Sequence, residues 1–429
     1  MLSWLSIVRM GLVQMSLGAI VVLMTSTLNR LMVVELALPA VLPGLLVGLH
    51  YGIQISRPAW GYRSDTAGNR TRWIIGGMVV LAAGGMLAAL GVMVLEGAFW
   101  PGLALSVLAY ALIGVGVGAS GTSLLALLAT ATHPRRRAAA ATITWLMMIF
   151  GIAVTATVAG GFLDPYTPLR LIEVVAVICA GAVVLTTLAV AGIERGVTRA
   201  APEARPVPLR QGLAEIWAEP RARGFTIFVF LSMTAYFMQE LILEPYAGLV
   251  WGFTPGQTTQ LSGAQNGGVF MGMLLVGIAA TGLGLGSLRA WVAAGCLGSA
   301  ASLGVIAMLG QGALPGLVPA VVALGVFNGM FAVAAIGAMM ALAGEGRGAR
   351  EGTRMGLWGA GQAIAAGFGG LSGAVAVDLM RHLVTDGTAF GLVFVAEAGL
   401  FLAAAALALR ILASPREAAP VPAALVPGE

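Results

Sequence analysis

Lysine is absent from the sequence, so all 23 basic residues are arginines, and charged residues fill only 10% of the 429 positions. With 59% hydrophobic residues and a mean hydropathy of +0.94, the chain has too little polar surface to cover a soluble core of its size. A water-soluble globular protein is excluded and a polytopic membrane protein remains. The net charge of +5 is therefore read by location, as membrane topology. Basic and aromatic residues are not interleaved, so nucleic acid is excluded as a partner. Only two cysteines occur, Cys179 and Cys296, in separate apolar stretches without CxxC spacing, and they are expected to be inert core thiols. Histidine is nearly as scarce, at three. No histidine and carboxylate cluster has metal-site spacing, and no Ser/His/Asp or Cys/His set assembles an active site. The N-terminus, MLSWLSIVRMGLVQ, lacks a signal-peptide cleavage pattern, so Met1 is expected to stay on the mature chain.

What is abundant is glycine, 61 residues, within long apolar runs. Strands of alternating polarity are rare, which favours packed helices over an outer-membrane barrel. A membrane span needs about 20 apolar residues. On that criterion twelve spans are predicted, near 12–36, 40–60, 73–95, 103–128, 142–162, 172–193, 225–249, 263–282, 290–310, 316–341, 354–377 and 388–411. The second is the least regular, because Pro43 and His50 fall inside it. Arginines cluster in alternate loops, among them Arg135 to Arg137 and Arg195 to Arg223, while the intervening loops hold only Arg170 and Arg381. The positive-inside rule then places both termini in the cytoplasm.

The longest polar stretch, between spans six and seven, is the one rich in both proline and charge. It divides the chain into an N-terminal six-helix bundle (1–193), a cytoplasmic linker with a short amphipathic helix (194–224), a C-terminal six-helix bundle (225–411) and a cytoplasmic tail (412–429). The halves echo one another at an offset of about 209 to 214 residues. Arg30 and Glu35 in span one match Gln239 and Glu244 in span seven, and each glutamate is followed by a proline, Pro39 and Pro245. Trp145 with Asp164 likewise matches Trp358 with Asp378. Parallel six-span repeats predict a major facilitator architecture: all-α, twelve helices, two pseudo-repeats.

The loop GYRSDTAGNRTR resembles the signature loop of that superfamily, with Gly61, Ser64, Asp65, Gly68, Arg70 and Arg72 in the matching positions and Asn69 where a basic residue is usual. The resemblance implies a cytoplasmic latch in which Asp65 caps a helix N-terminus or pairs with an arginine. The second-half counterpart, TGLGLGSLR, keeps only its glycines and Arg289.

Ionisable groups inside a membrane cost on the order of 2.5–3.5 kcal/mol each on insertion scales, so they face the bundle interior or water. Arg30, Glu35, His50, Arg57, Glu240, Glu244 and Glu397 are the candidates, with Asn29 and Gln239 as polar neighbours. Glu35 and Glu244 are expected at the periplasmic mouth. Arg30 lies about 7–8 Å deeper, and an i to i+5 spacing is off the same face of an α-helix, so its expected partner is on span seven, Glu240 above all. His50 is a candidate axial ligand for a chlorophyll-type magnesium, or a core histidine bonded to a carbonyl. The glycine-rich stretches at 111–123 and 365–376 lie inside spans without a P-loop lysine and are expected to serve helix packing.

The stretch from Gly11 to Asp65 and the segment MQELILEPYAGLVWGFTPGQTTQLSG (Met238 to Gly263) resemble the PucC/LhaA light-harvesting assembly proteins, the bacteriochlorophyll delivery branch of the superfamily. Glu240 stands where an aspartate is expected, and Ala247 where glycine is common. The resemblance covers nearly the whole chain. It implies a non-enzymatic factor in a bacterial inner, photosynthetic membrane that binds bacteriochlorophyll as cargo and hands it to antenna α and β polypeptides. Reaction-centre assembly intermediates, pigment-synthesis enzymes and membrane lipid are further expected partners. It marks Asn29, Arg30, Glu35, Gln239, Glu240, Glu244 and Pro245 as the matching polar motif, with His50 a possible magnesium ligand. Two other readings stay open: a proton-coupled exporter driven by Glu240 or Glu397, and a pigment-synthesis enzyme, which lacks paired Asp-rich motifs for Mg²⁺ and diphosphate.

Overall fold

The computed structural model describes residues 2–57, 60, 69–133, 136–194, 217–344 and 351–411. These form twelve helical crossings: α1 (Trp4–Glu35), α2 (Val41–Ile53), α3 (Arg70–Leu95), α4 (Phe99–Ala131), α5 (Arg137–Leu163), α6 (Pro168–Val190), α7 (Pro220–Trp251), α8 (Pro255–Val276), α9 (Leu288–Leu309), α10 (Leu317–Gly344), α11 (Glu351–Arg381) and α12 (Asp386–Ile411). Eleven are long and apolar enough to cross a membrane, and α2, extended by a 3-10 turn at Gln54–Ser56, is shorter. Pro43 is accommodated in the first turn of α2, where its missing N–H removes no helical bond. The chain has the major facilitator fold.

Local chemistry sets the helix starts. Ser3, Asn69, Thr167, Thr254 and Ser287 each accept a hydrogen bond from a backbone N–H in the first turn that follows. Asn69 accepts from Arg72 N at 3.2 Å, which gives a physical reason for asparagine at this place in the signature loop. Gly61, Ser64, Asp65 and Gly68 of that loop lie outside the described residues, as do most of the linker and the tail.

The apolar packing separates into two cores. One gathers α1 to α6 with Leu241 of α7, the other α7 to α12. Among the described residues two small apolar clusters bridge the halves: Val33 and Ala40 with Ala374, and Ile149 with Val269 and Met273. Polar pairs and close-packed glycines also join them.

The second half of α1 departs from α-helical geometry. Leu23–Leu28 and Leu31–Glu35 are π-helical, a form often found at functional sites. The Met24 carbonyl in this stretch accepts from the Tyr110 hydroxyl at 3.1 Å. The chain then turns out of the helix at Ala37, whose φ of 49° is left-handed.

Candidate functional site

Two aspartates close the periplasmic side in a symmetric manner. Asp164, at the end of α5, accepts from Thr254 Oγ1 at 2.5 Å and Gly256 N at 3.1 Å, at the start of α8. Asp378, near the end of α11, accepts from Ala40 N at 2.9 Å and Val41 N at 2.7 Å, at the start of α2. Each carboxylate from one half thus meets the positive N-terminus of a helix in the other. A Cβ on Gly256 would lie 2.5 Å from the Asp164 carboxylate and from the Gly160 carbonyl, so only glycine permits this approach.

Below the caps, α1 and α7–α8 are joined by polar pairs. Ser26 and Ser262 hydroxyls are 2.8 Å apart, and those of Thr27 and Thr259 are 3.0 Å apart. Asn29 Nδ2 donates to the Leu241 carbonyl at 2.6 Å.

Arg30 is buried and faces the other half, donating to the Phe253 carbonyl at 2.8 Å. Its carboxylate partner differs from the expectation. Arg30 Nη1 donates to Glu35 Oε1 at 2.5 Å, and Glu240 is not the partner. The spacing argument assumed an α-helix. In the π-helical turn Leu31–Glu35 the repeat is i to i+5, which returns Glu35 to the face of Arg30.

Glu35 does sit at the mouth, with 41% of its side chain exposed. Glu244 does not. It is buried beside Ser26, Thr258, Ser262 and Arg30, with neither oxygen completing a hydrogen bond. The reason is that α7 continues through Pro245 to Trp251, which sets Glu244 about 10 Å inside the helix end. In the nearby α5–α6 turn, outside the spans, burial raises the Tyr166 phenol to about 12, with Glu96 and Glu35 adding in the same direction.

One turn toward the cytoplasm, Glu240 is partly exposed inside the bundle, beside Thr25 of α1. The Tyr51 and Tyr236 phenols lie within electrostatic reach of its carboxylate. Phe237 contacts both rings, Tyr51 across the halves at 5.6 Å and Tyr236 at 5.2 Å between centroids. These three aromatic residues were not singled out in the sequence, where a tyrosine in a span reads as ordinary packing. Their signal was the proximity of Tyr236 and Phe237 to the MQELILEP motif. Gln239 is buried with its Oε1 unpartnered.

His50 is 2% exposed, and its Nε2 is 2.9 Å from Gln54 Nε2. Arg57 donates to Gln54 Oε1, so the histidine sits in a short chain of side-chain bonds; its Nδ1 has no partner. Glu397 is fully buried in the C-terminal core, with both oxygens unpartnered. Cys179 and Cys296 are buried free thiols. Among the described residues no three His, Cys, Asp or Glu side chains gather as a metal site.

At the cytoplasmic end, Glu194 accepts from the backbone N–H groups of Arg70 and Thr71 at 3.1 and 3.2 Å, tying α3 to the end of α6. Arg72 borders a groove of about 480 Å³ floored by Gly76 and Gly77 and walled by Trp60 and Trp73.

A protein-family model described as PUCC protein matches residues 27–415. The chain is 68% identical over 423 residues to a Rhodobacter capsulatus protein named bacteriochlorophyll synthase 44.5 kDa chain, covering 98% of both. It is 29% identical to Protein PucC of the same organism, covering 95% of this chain and 92% of that one. Two solved structures share the fold at 14% identity. One is a bacterial homolog to the human lysosomal transporter Spinster, inward-facing and unoccupied, with a TM-score of 0.68 and coverage of 95% and 96%. The other is a POT family transporter in complex with a thioalcohol-conjugated peptide, with a TM-score of 0.69 and coverage of 94% and 96%.

Proposed function

Because the chain belongs to the PUCC protein family and is a multi-pass inner-membrane protein, we propose that it is a non-enzymatic carrier that binds bacteriochlorophyll and delivers it to antenna α and β polypeptides. The observation that carries this reading is the family match across 27–415. The interior supports it: the Tyr51 and Phe237 rings meet between two separately cored halves, an apolar setting that suits a bulky amphiphile.

The test is gentle purification of the tagged chain from a phototrophic host, followed by an absorption spectrum and identification of co-purifying polypeptides. Bound bacteriochlorophyll and antenna polypeptides are expected, and deletion is expected to lower antenna content. A pigment-free protein whose loss leaves the antenna unchanged would overturn the proposal.

A second reading rests on the printed name of the 68% identical relative, a bacteriochlorophyll synthase chain. If the purified chain by itself formed bacteriochlorophyll from a precursor, that reading would replace ours. Transport of a small molecule coupled to protons is the third, motivated by the transporter folds. A pH-dependent flux lost in Glu240→Gln would favour it.

A further inference from the structure

The groove bordered by Arg72 lies outside the interface between the halves. One wall is α3 from Arg72 to Val80, the other α4 at Val115 and Ala119. The two helices touch at Gly77, where an added Cβ would be 2.5 Å from Ser120 N. At Gly76, one residue back, an added Cβ meets nothing within 4 Å. The first glycine draws the helices together, and the second leaves the hollow beside the contact.

Trp60, four residues beyond Ser56, completes the wall. Its indole N–H donates to Ser56 Oγ at 3.0 Å, and a Cβ on Gly118 of α4 would lie 3.3 Å from its ring. The Trp60 and Trp73 rings are 5.8 Å apart between centroids. Both sides of Trp60 are therefore fixed by neighbours.

Polarity is confined to one end. Arg72 and Asn69 stand there, and from Arg72 to Val80 the groove follows α3 for about 12 Å, at 1.5 Å per residue. Val79 on this stretch is exposed, an apolar surface that within a span faces acyl chains. A charged end, two tryptophans beside it and an apolar hollow beyond match the layers of a bilayer leaflet: headgroup, interface and acyl chain.

The charge at that end is available. The first N–H groups of α3 are taken, since Arg70 N and Thr71 N donate to Glu194 and Arg72 N donates to Asn69. The Arg70 guanidinium donates to the Ala126 carbonyl at 3.1 Å. By contrast, the exposed Arg72 guanidinium has no hydrogen-bond or carboxylate partner among the described residues. Glu194 also accepts from the Thr71 hydroxyl, and among the described residues no acidic side chain lines the groove. The lining thus offers an anion a partner and a headgroup cation none. A second groove, of about 400 Å³ between α2 and α4, is lined by proline, valine and leucine and makes no such distinction. A volume of about 480 Å³ suits one small amphiphile. It is too small for a helix, which is about 10 Å across with its side chains.

We propose that this groove binds an anionic phospholipid of the bilayer, whose phosphate pairs with Arg72 and whose acyl chain lies over Gly76 beside Trp60 and Trp73. The site does not depend on the pigment-carrier reading.

The test is native mass spectrometry of the delipidated full chain in detergent, titrated with phosphatidylglycerol or with phosphatidylcholine of the same acyl chains. The readout is the first lipid bound. Phosphatidylglycerol is expected to bind about fivefold more tightly, the effect of one basic residue beside an anionic lipid. Arg72→Gln should erase that preference, and Arg72→Lys should keep it. Gly76→Leu fills the hollow from a position where a Cβ meets no neighbour, so it should weaken the first binding of both lipids. Arg410→Gln removes an exposed arginine at the end of α12 and should change nothing. A monodisperse elution profile for each variant shows that it is folded. Gly76→Leu that binds like wild type would overturn the groove as the site. A preference that persists in Arg72→Gln, or that Arg410→Gln removes as fully, would overturn the pairing of the phosphate with Arg72.

Discussion

Pro245 leaves the Leu241 carbonyl without a helical donor, and Asn29 from the other half supplies one at 2.6 Å. A proline inside a helix removes the N–H that would bond four residues back, and a buried carbonyl so orphaned needs a partner. The two motif stretches of the sequence, one in each half, are thus two sides of one contact.

Asn29→Ala should therefore cost about 1–3 kcal/mol, the range for stranding a buried acceptor. Pro245→Ala restores the helical donor, so the same Asn29 substitution made in that background should cost much less. Thermal or denaturant unfolding of the four proteins in detergent gives the coupling. Additivity within about 0.5 kcal/mol would mean that the two residues do not share the carbonyl.

The legible part of the fold was what depends on composition and period. Twelve helical segments and the repeat follow from apolar length and paired residues such as Asp164 and Asp378. What these aspartates do was not legible, because a cap depends on which helix start the other half brings to it. Arg30 and Glu35 were misjudged because a π turn leaves no mark in the spacing of apolar residues. Glu244 was placed at the mouth because it falls near the end of the predicted span 225–249, whereas α7 runs on to Trp251 and the Glu244 side chain turns inward, where it is buried.

The symmetric caps predict a gate. Removing one cap costs about 1 kcal/mol, so Asp164→Ala with Asp378→Ala should shift the closed-to-open ratio of the periplasmic side by roughly thirtyfold. A Val33→Cys reporter, buried in the cluster below the Asp378 cap, measures this by its labelling rate with a membrane-impermeant thiol reagent. The native cysteines are buried and give a low background. Unchanged labelling in the double variant would show that the carboxylates do not hold the side shut.

Ala37 carries a left-handed φ of 49° where α1 ends. A side chain in that region costs about 1–2 kcal/mol, so Ala37→Gly should stabilise the chain and raise its unfolding midpoint by a few degrees. Gly252, also left-handed at φ 68°, gives the opposite control: Gly252→Ala should lower it.

The different surroundings of Gly44 and Gly48 on α2 predict opposite signs for their substitution. Gly48→Ala adds a methyl group where nothing lies within 4 Å, so the variant should gain the helix-propensity benefit of about 0.5–1 kcal/mol and unfold at the same or a higher temperature. Gly44→Ala gains the same benefit but drives a methyl group to 3.0 Å from Ala374 Cβ, beneath the Asp378 cap. Relief requires the two halves to part at their periplasmic edge, so this variant should unfold earlier and label faster at Val33→Cys. The Gly44→Ala, Ala374→Gly pair removes the clash and should restore both. A destabilised Gly48→Ala, or a Gly44→Ala that the second substitution fails to rescue, would mean that the contact between Gly44 and Ala374 does not set how closely the two halves approach.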